Sequence, residues 1–119
     1  MNQALIVGRL VRDPELRYTE NGKALCFFTV AAARRYKNQD GEREADFIPV
    51  KTWGNMAKIV AEHLKQGRRV AVSGTMRTRL VSKQEVTYNE VIINADTVEF
   101  LDSPLRNAQQ SEEEPPENE

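Results

Sequence analysis

The 119-residue sequence predicts an all-β domain, a five-stranded Greek-key barrel with one α-helix between the third and fourth strands. Three observations predict it. Short runs rich in β-branched and aromatic residues are separated by polar turns, two of which contain Asn-Gly or Asp-Gly. Only one stretch repeats its apolar residues at three- and four-residue spacings, and that stretch follows the third of the strand-like runs.

The first strand is Ala4 to Leu10, a short apolar run ending at Asp13-Pro14. Leu16 to Tyr18 is a short extension before Glu20-Asn21-Gly22, where Asn-Gly supplies the positive φ of a tight hairpin. The second strand runs from about Ala24 to Tyr36, with three alanines weakening its later half. Lys37 to Ala45 is polar and contains Asp40-Gly41, so it reads as a hairpin loop. In the third strand, Asp46 to Trp53, the period is two: Ile48, Val50 and Thr52 share one face, and Phe47, Pro49, Lys51 and Trp53 the other. Pro49 lacks a backbone donor, which suggests an edge or a bulge. Asn55 is placed to cap a helix carrying Met56, Ile59, Val60, His63 and Leu64 on one side, with Gly67 at its stop. A fourth strand runs from Arg69 to about Arg79. After a turn around Ser82-Lys83-Gln84, a fifth runs from about Val86 to Leu101. This order of elements is that of the OB-fold.

Length and composition limit the functions open to such a chain. One domain plus a tail fits 119 residues: a domain over 1–104 and an acidic tail over 105–119, whose composition favours disorder. The single Cys26 makes no intrachain disulfide and is most simply a buried apolar side chain. No apolar run has the length of a membrane span and the first residues do not resemble a signal peptide, so a cytoplasmic protein is expected. The net charge of −1 is unevenly spread. Asn107 to Glu119 hold five of the 18 acids and none of the 17 bases, which leaves 17 bases against 13 acids, a net +4, on residues 1–106.

A general binder of single-stranded nucleic acid needs aromatic platforms for exposed bases and cations for phosphates. The third strand supplies both in Phe47, Lys51 and Trp53. Arg34, Arg35, Tyr36 and Lys37 place three cations around an aromatic at the end of the second strand, and Thr75, Arg77 and Arg79 share one parity in the fourth. Tyr88 is either a further stacking surface or a cross-strand packing residue. The competing reading inverts the third strand, so that Phe47 and Trp53 become core. Taken singly, each basic residue is an ordinary solvated group; their joint occurrence with aromatics on three strands favours the binding reading.

From Asn2 to Leu101 the chain resembles the bacterial single-stranded DNA-binding protein family. The resemblance is carried by Leu5-Ile6-Val7-Gly8-Arg9-Leu10 with Asp13-Pro14-Glu15-Leu16-Arg17-Tyr18, by Asn21-Gly22 leading into Phe28-Thr29-Val30-Ala31, by Trp53-Gly54-Asn55-Met56-Ala57-Lys58, and by Gly67-Arg68-Arg69-Val70-Ala71-Val72-Ser73-Gly74 running into Arg77-Thr78-Arg79. It implies base stacking on Tyr36, Phe47 and Trp53 and phosphate contacts at Arg77 and Arg79. It also implies a nucleoid-associated role in replication, recombination and repair, and a homotetramer whose dimers pair through the first strand, with a dimer as the alternative. Where the family often has an aromatic after Arg79, this chain has Leu80-Val81, which implies weaker binding or a smaller footprint. Family tails end in Pro-Phe and recruit replication and repair proteins; Ser111 to Glu119 has the acids and prolines without the terminal phenylalanine, which leaves that recruitment open.

Three other readings compete with this one. A replication-restart or competence paralogue of the same fold would also bind single strands. An OB-fold nuclease would need clustered carboxylates to hold a metal, whereas Asp13, Glu15, Asp40, Glu42 and Glu44 are spread over turns and loops and His63 stands alone on the helix. No catalytic residue, metal or cofactor is expected. A module binding only protein would leave the aromatic and cationic face without a purpose.

Overall fold

In the computed structural model, residues 1–102 are described; the expected acidic tail lies outside the described residues. The chain forms β1 (Ala4–Leu10), β2 (Glu15–Tyr18), β3 (Ala24–Lys37), β4 (Arg43–Trp53), α1 (Gly54–His63), β5 (Arg69–Lys83) and β6 (Val86–Phe100). The sheet order is β1-β5-β6-β4-β3-β2, and a further β1–β3 pairing closes the barrel. Five long strands and one helix reproduce the expected OB-fold. The short extension is the additional strand β2, so the helix lies between β4 and β5.

Alternation drives the closure. Cys26, Phe28 and Val30 on β3, Val50 and Thr52 on β4, Val70 and Val72 on β5, and Ile93 on β6 all point inward and are buried. Ala57 and Val60 of α1, and Leu64 just after it, join the same core. β1 serves two neighbours, pairing with β5 from Ala4 to Arg9 and with β3 at Arg9 and Leu10. At this crossing a Cβ on Gly8 would fall on the Ala31 carbonyl oxygen, so only glycine lets the two backbones approach. The barrel tolerates Pro49 without a register shift. It pairs with Thr29 on β3, while the parallel pairing of β4 with β6 involves only Val50 and Lys51, so the strand is locally an edge at the proline.

Several boundaries differ from the sequence-based expectation. The loop expected over Lys37 to Ala45 shrinks to 38–42, because β4 begins at Arg43 and pairs there with Lys37. Arg43 and Glu44 are charged and exposed on opposite faces of a projecting hairpin and Ala45 is half-buried, so no alternation of hydrophobicity marks these residues as strand. β5 likewise runs to Lys83 rather than Arg79, and the turn falls on Gln84 and Glu85. Asn55 is not the helix cap. The cap position is Trp53, in extended conformation and without a side-chain cap bond, and Gly54 with φ +67° swings the chain directly from strand into helix.

The first two hairpin loops share one design. Gly22 N–H donates to Thr19 O and Thr19 N–H to Lys23 O; likewise Gly41 N–H donates to Asn38 O and Asn38 N–H to Glu42 O. In each, the residue after the glycine donates its N–H to the side-chain oxygen of Thr19 or Asn38. Only Gly22 of the Asn-Gly pair has positive φ, so the turn is centred one residue earlier, on Glu20-Asn21. The β5–β6 turn is different: Gln84 (φ 50°) and Glu85 (φ 66°) both occupy the left-handed region that glycine and asparagine prefer.

Candidate nucleic-acid interface

Cross-strand partners share a face of the sheet, so the register fixes which side chains lie together. On β3 and β4 the outward pairs are Leu25 with Trp53, Phe27 with Lys51, Thr29 with Pro49 and Ala31 with Phe47. The inverted alternative for β4 is thereby excluded, since Val50 and Thr52 are buried while Phe47 is 65% exposed. Lys51 lies beside Asn94 on β6, Asn94 pairs with Thr75 on β5, and Ile92 and Glu90 pair with Arg77 and Arg79. Thr75, Arg77 and Arg79 therefore stand on the same outer face as Lys51 and Trp53. Tyr88 pairs with Val81, two positions beyond Arg79, which puts it on this face as well, 42% exposed.

Trp53 is the best-braced residue of the face. Its indole Nε1–H donates to Asn94 Oδ1 at 3.2 Å, and two ammonium groups lie over its ring, Lys23 Nζ at 4.8 Å and Lys51 Nζ at 5.6 Å from the centroid. Phe47 stands six residues away on the same strand, about 20 Å at the usual rise of roughly 3.3 Å per residue. Tyr36 is 81% exposed. It lies in an irregular stretch where three β3 residues face Glu44 alone, so alternation does not fix its side there.

The cations divide into two groups. Arg34 is held by Asp46 (Nη2 to Oδ1, 2.9 Å) and Glu44 (Nη1 to Oε1, 3.1 Å), and the hydrogen bond to Asp46, then the charges of both acids, raise its pKa further. Arg79 Nε lies 2.8 Å from Glu90 Oε1. Arg35, Lys37, Lys51 and Arg77 have no carboxylate within ion-pair distance among the described residues. Arg43, from the β4 side of the hairpin, donates to the carbonyls of Arg34 and Arg35 and stiffens the irregular stretch.

Three contributors escape a reading of the sequence. Phe27 faces outward opposite Lys51, with the Arg17 guanidinium 5.6 Å from its ring centroid and Arg17 itself bound to Glu15. Lys23 and Asn94 reach Trp53 from a turn and from β6. Only the period-two pattern of β3 signals any of them, and it needs the inward parity of Cys26 and Phe28 to be read.

Of the acids expected in turns and loops, Glu15 stands on β2 and Glu44 on β4; Asp13 accepts the Gln66 N–H, Glu15 binds Arg17 and Glu44 binds Arg34. Among the described residues no group of three or more His, Cys, Asp or Glu side chains is close enough to hold a metal ion. No described helix is long and apolar enough to cross a membrane. A cavity of about 320 Å³ opens beside the end of α1, lined by Ile59, His63, Leu64, Arg68, Arg69, Phe100 and Asp102; none of these is a residue of the outer face described above.

The profile of the Single-strand binding protein family matches residues 1–101. The chain belongs to this family. Among its curated relatives, "Single-stranded DNA-binding protein A" of Bacillus subtilis (strain 168) is 47% identical over 105 residues, 86% of this chain and 60% of the relative. The "Single-stranded DNA-binding protein" of Halalkalibacterium halodurans is also 47% identical over 105 residues, 86% of this chain and 61% of that protein. "Single-stranded DNA-binding protein 2" of Clostridium acetobutylicum is 41% identical over 104 residues, 86% of this chain and 77% of its own length. The chain thus spans about three fifths of the length of the first two relatives. The matched residues take in the whole barrel, including every strand of the outer face.

Proposed function

We propose that this family member binds single-stranded DNA largely independently of sequence and catalyses no reaction on it, in the service of replication, recombination and repair. The observation that carries the reading is the continuous outer face of β4, β6 and β5, on which Phe47, Trp53, Lys51 and Arg77 stand together. Bases stack on Phe47 and Trp53, and Tyr36 and Tyr88 offer further rings. Each base–aromatic stack contributes roughly 1–3 kcal/mol and tolerates any base, because every base has a π face. Arg35, Lys37, Lys51 and Arg77 take phosphates, releasing counterions, so affinity falls with salt. Arg34 and Arg79 contribute less, because a phosphate there must displace a carboxylate. Duplex DNA is a poor ligand, since its paired and stacked bases present no open face.

Residues 1–104 form the binding unit. Assembly through β1 is supported by its exposed outward side chains, Leu5 (75%) and Val7 (53%), on a strand that pairs on one side only from Ala4 to Val7. We place the assembly as a homotetramer in the cytoplasm, with the nucleoid as its site of work.

The decisive experiment follows the fluorescence of Trp53, the single tryptophan, during titration with oligo(dT) and with duplex DNA at low and high salt. Quenching by oligo(dT), weakened by salt and nearly lacking with duplex, is the expected result. No response to either strand type, with the protein folded and free of nucleic acid, would refute stacking at this site. Mass measurement of the same sample distinguishes tetramer from dimer.

A further inference from the structure

We propose that Lys23 is a DNA-binding residue that works by exchange: its ammonium rests on the face of Trp53 and moves to a phosphate when a base stacks there. This rests on the reading of Trp53 as a stacking platform. The turn supplies the geometry. Lys23 N–H donates to Thr19 Oγ1 at 3.1 Å and Lys23 O accepts from Thr19 N–H at 2.9 Å, so the backbone from which the side chain springs is fixed. Lys23 stands two residues before Leu25, the cross-strand partner of Trp53, and so reaches the ring diagonally. Its Nζ is the nearer of the two ammonium groups, 4.8 Å from the centroid against 5.6 Å for Lys51.

Two physical arguments make this an exchange rather than a fixed contact. A base stacked on the ring face that Lys23 covers occupies the space of its ammonium. An exposed cation–π contact is weaker than a base–aromatic stack, so the base wins the ring. The displaced ammonium then needs an anion. Arg17, Arg34 and Arg79 each already hold a carboxylate, whereas Lys23 has none within ion-pair distance among the described residues. The phosphate flanking the stacked base is the anion that the ligand itself brings to this spot.

The test uses the full chain with Lys23→Ala and Lys23→Arg, and a dye-labelled oligo(dT) followed by anisotropy over a range of salt concentrations. Lys23→Ala should lower affinity severalfold at low salt and reduce the slope of log K against log salt by about 0.7, the value for one single-strand phosphate contact. Lys23→Arg should restore both. An unchanged slope, or tighter binding by Lys23→Ala, would show that the ammonium merely covers the ring and would overturn the proposal. Phe47→Ala and Trp53→Ala, measured alongside, separate the two levels of failure. If they lose affinity while Lys23→Ala keeps its slope, only the assignment of Lys23 falls; if they bind like the parent, the stacking reading falls and takes Lys23 with it.

Discussion

Truncating Phe47 to alanine separates binding from folding more cleanly than any other change to this face. The ring is 65% exposed, so about a third of a side chain that buries roughly 200 Å² when fully covered is out of water, some 70 Å². At about 25 cal/mol per Å² this is worth under 2 kcal/mol, and alanine keeps part of it, so the stability loss stays below about 2 kcal/mol. Loss of one base stack, at roughly 1–3 kcal/mol, lowers affinity for oligo(dT) by about 5- to 150-fold. Ile93→Ala is the mirror experiment. Ile93 is fully buried next to Val50, and its truncation costs about 2–5 kcal/mol of stability while leaving affinity per folded molecule unchanged. Denaturant unfolding monitored by circular dichroism, paired with anisotropy titration of labelled oligo(dT), reads both quantities for both variants. A Phe47→Ala protein that keeps its affinity, or one that loses several kcal/mol of stability, would refute the assignment of this ring to the ligand.

Three further outcomes are expected. Gly8→Ala should destabilise the barrel by several kcal/mol, seen in the denaturant midpoint, because the new methyl group meets the Ala31 carbonyl at the strand crossing and backbone cannot yield as a side chain can. Replacing Gln84 and Glu85 with Asn and Gly should raise stability by about 1 kcal/mol, since both native residues hold left-handed φ values that such side chains disfavour; no change in the unfolding midpoint would argue that the hairpin tip carries no strain. Burial, and secondarily the Glu15 carboxylate, push the Cys26 thiol from 9.0 up to about 11. The neutral thiol is thus favoured by folding, so its contribution is fully present below pH 9 and lost as pH rises through 11. The denaturant midpoint should drop across this window less in Cys26→Ala than in the parent, and iodoacetamide should label Cys26 at pH 8 only after unfolding.

Much of this molecule is legible in its sequence because one face of each long strand is buried. Ile48, Val50 and Thr52 alternating with Phe47, Lys51 and Trp53 mark the strand and sort its residues onto two faces, and the burial of Val50 and Thr52 decides which face points inward. Legibility fails where burial on one face ends. Arg43 to Ala45 and Leu80 to Lys83 belong to hairpin arms exposed on both faces or nearly so, where no hydrophobic period survives to announce a strand. It fails again at contacts set by pairing between distant segments. The Trp53–Asn94 hydrogen bond spans 41 residues across a parallel pairing of only two positions. Arg34 reads as a free cation in a basic cluster, and only the β3–β4 register puts Asp46 and Glu44 beside it. Gln84-Glu85 carries none of the turn signals on which hairpin prediction relies, so the sequence places the turn one to two residues too early.

The strict parity of β4 also has a consequence for how such a protein can diverge. Because neighbouring residues answer to different selective demands, the odd positions of this strand are free to drift, sharpen or exchange their chemistry without recutting the interior that the even positions fill. Trp53 is the exception, since Asn94 on β6 and Lys23 in the first turn are tied to its ring. A lineage altering how it grips its ligand would therefore find Phe47 the easy position to change and Trp53 the one that must change in company.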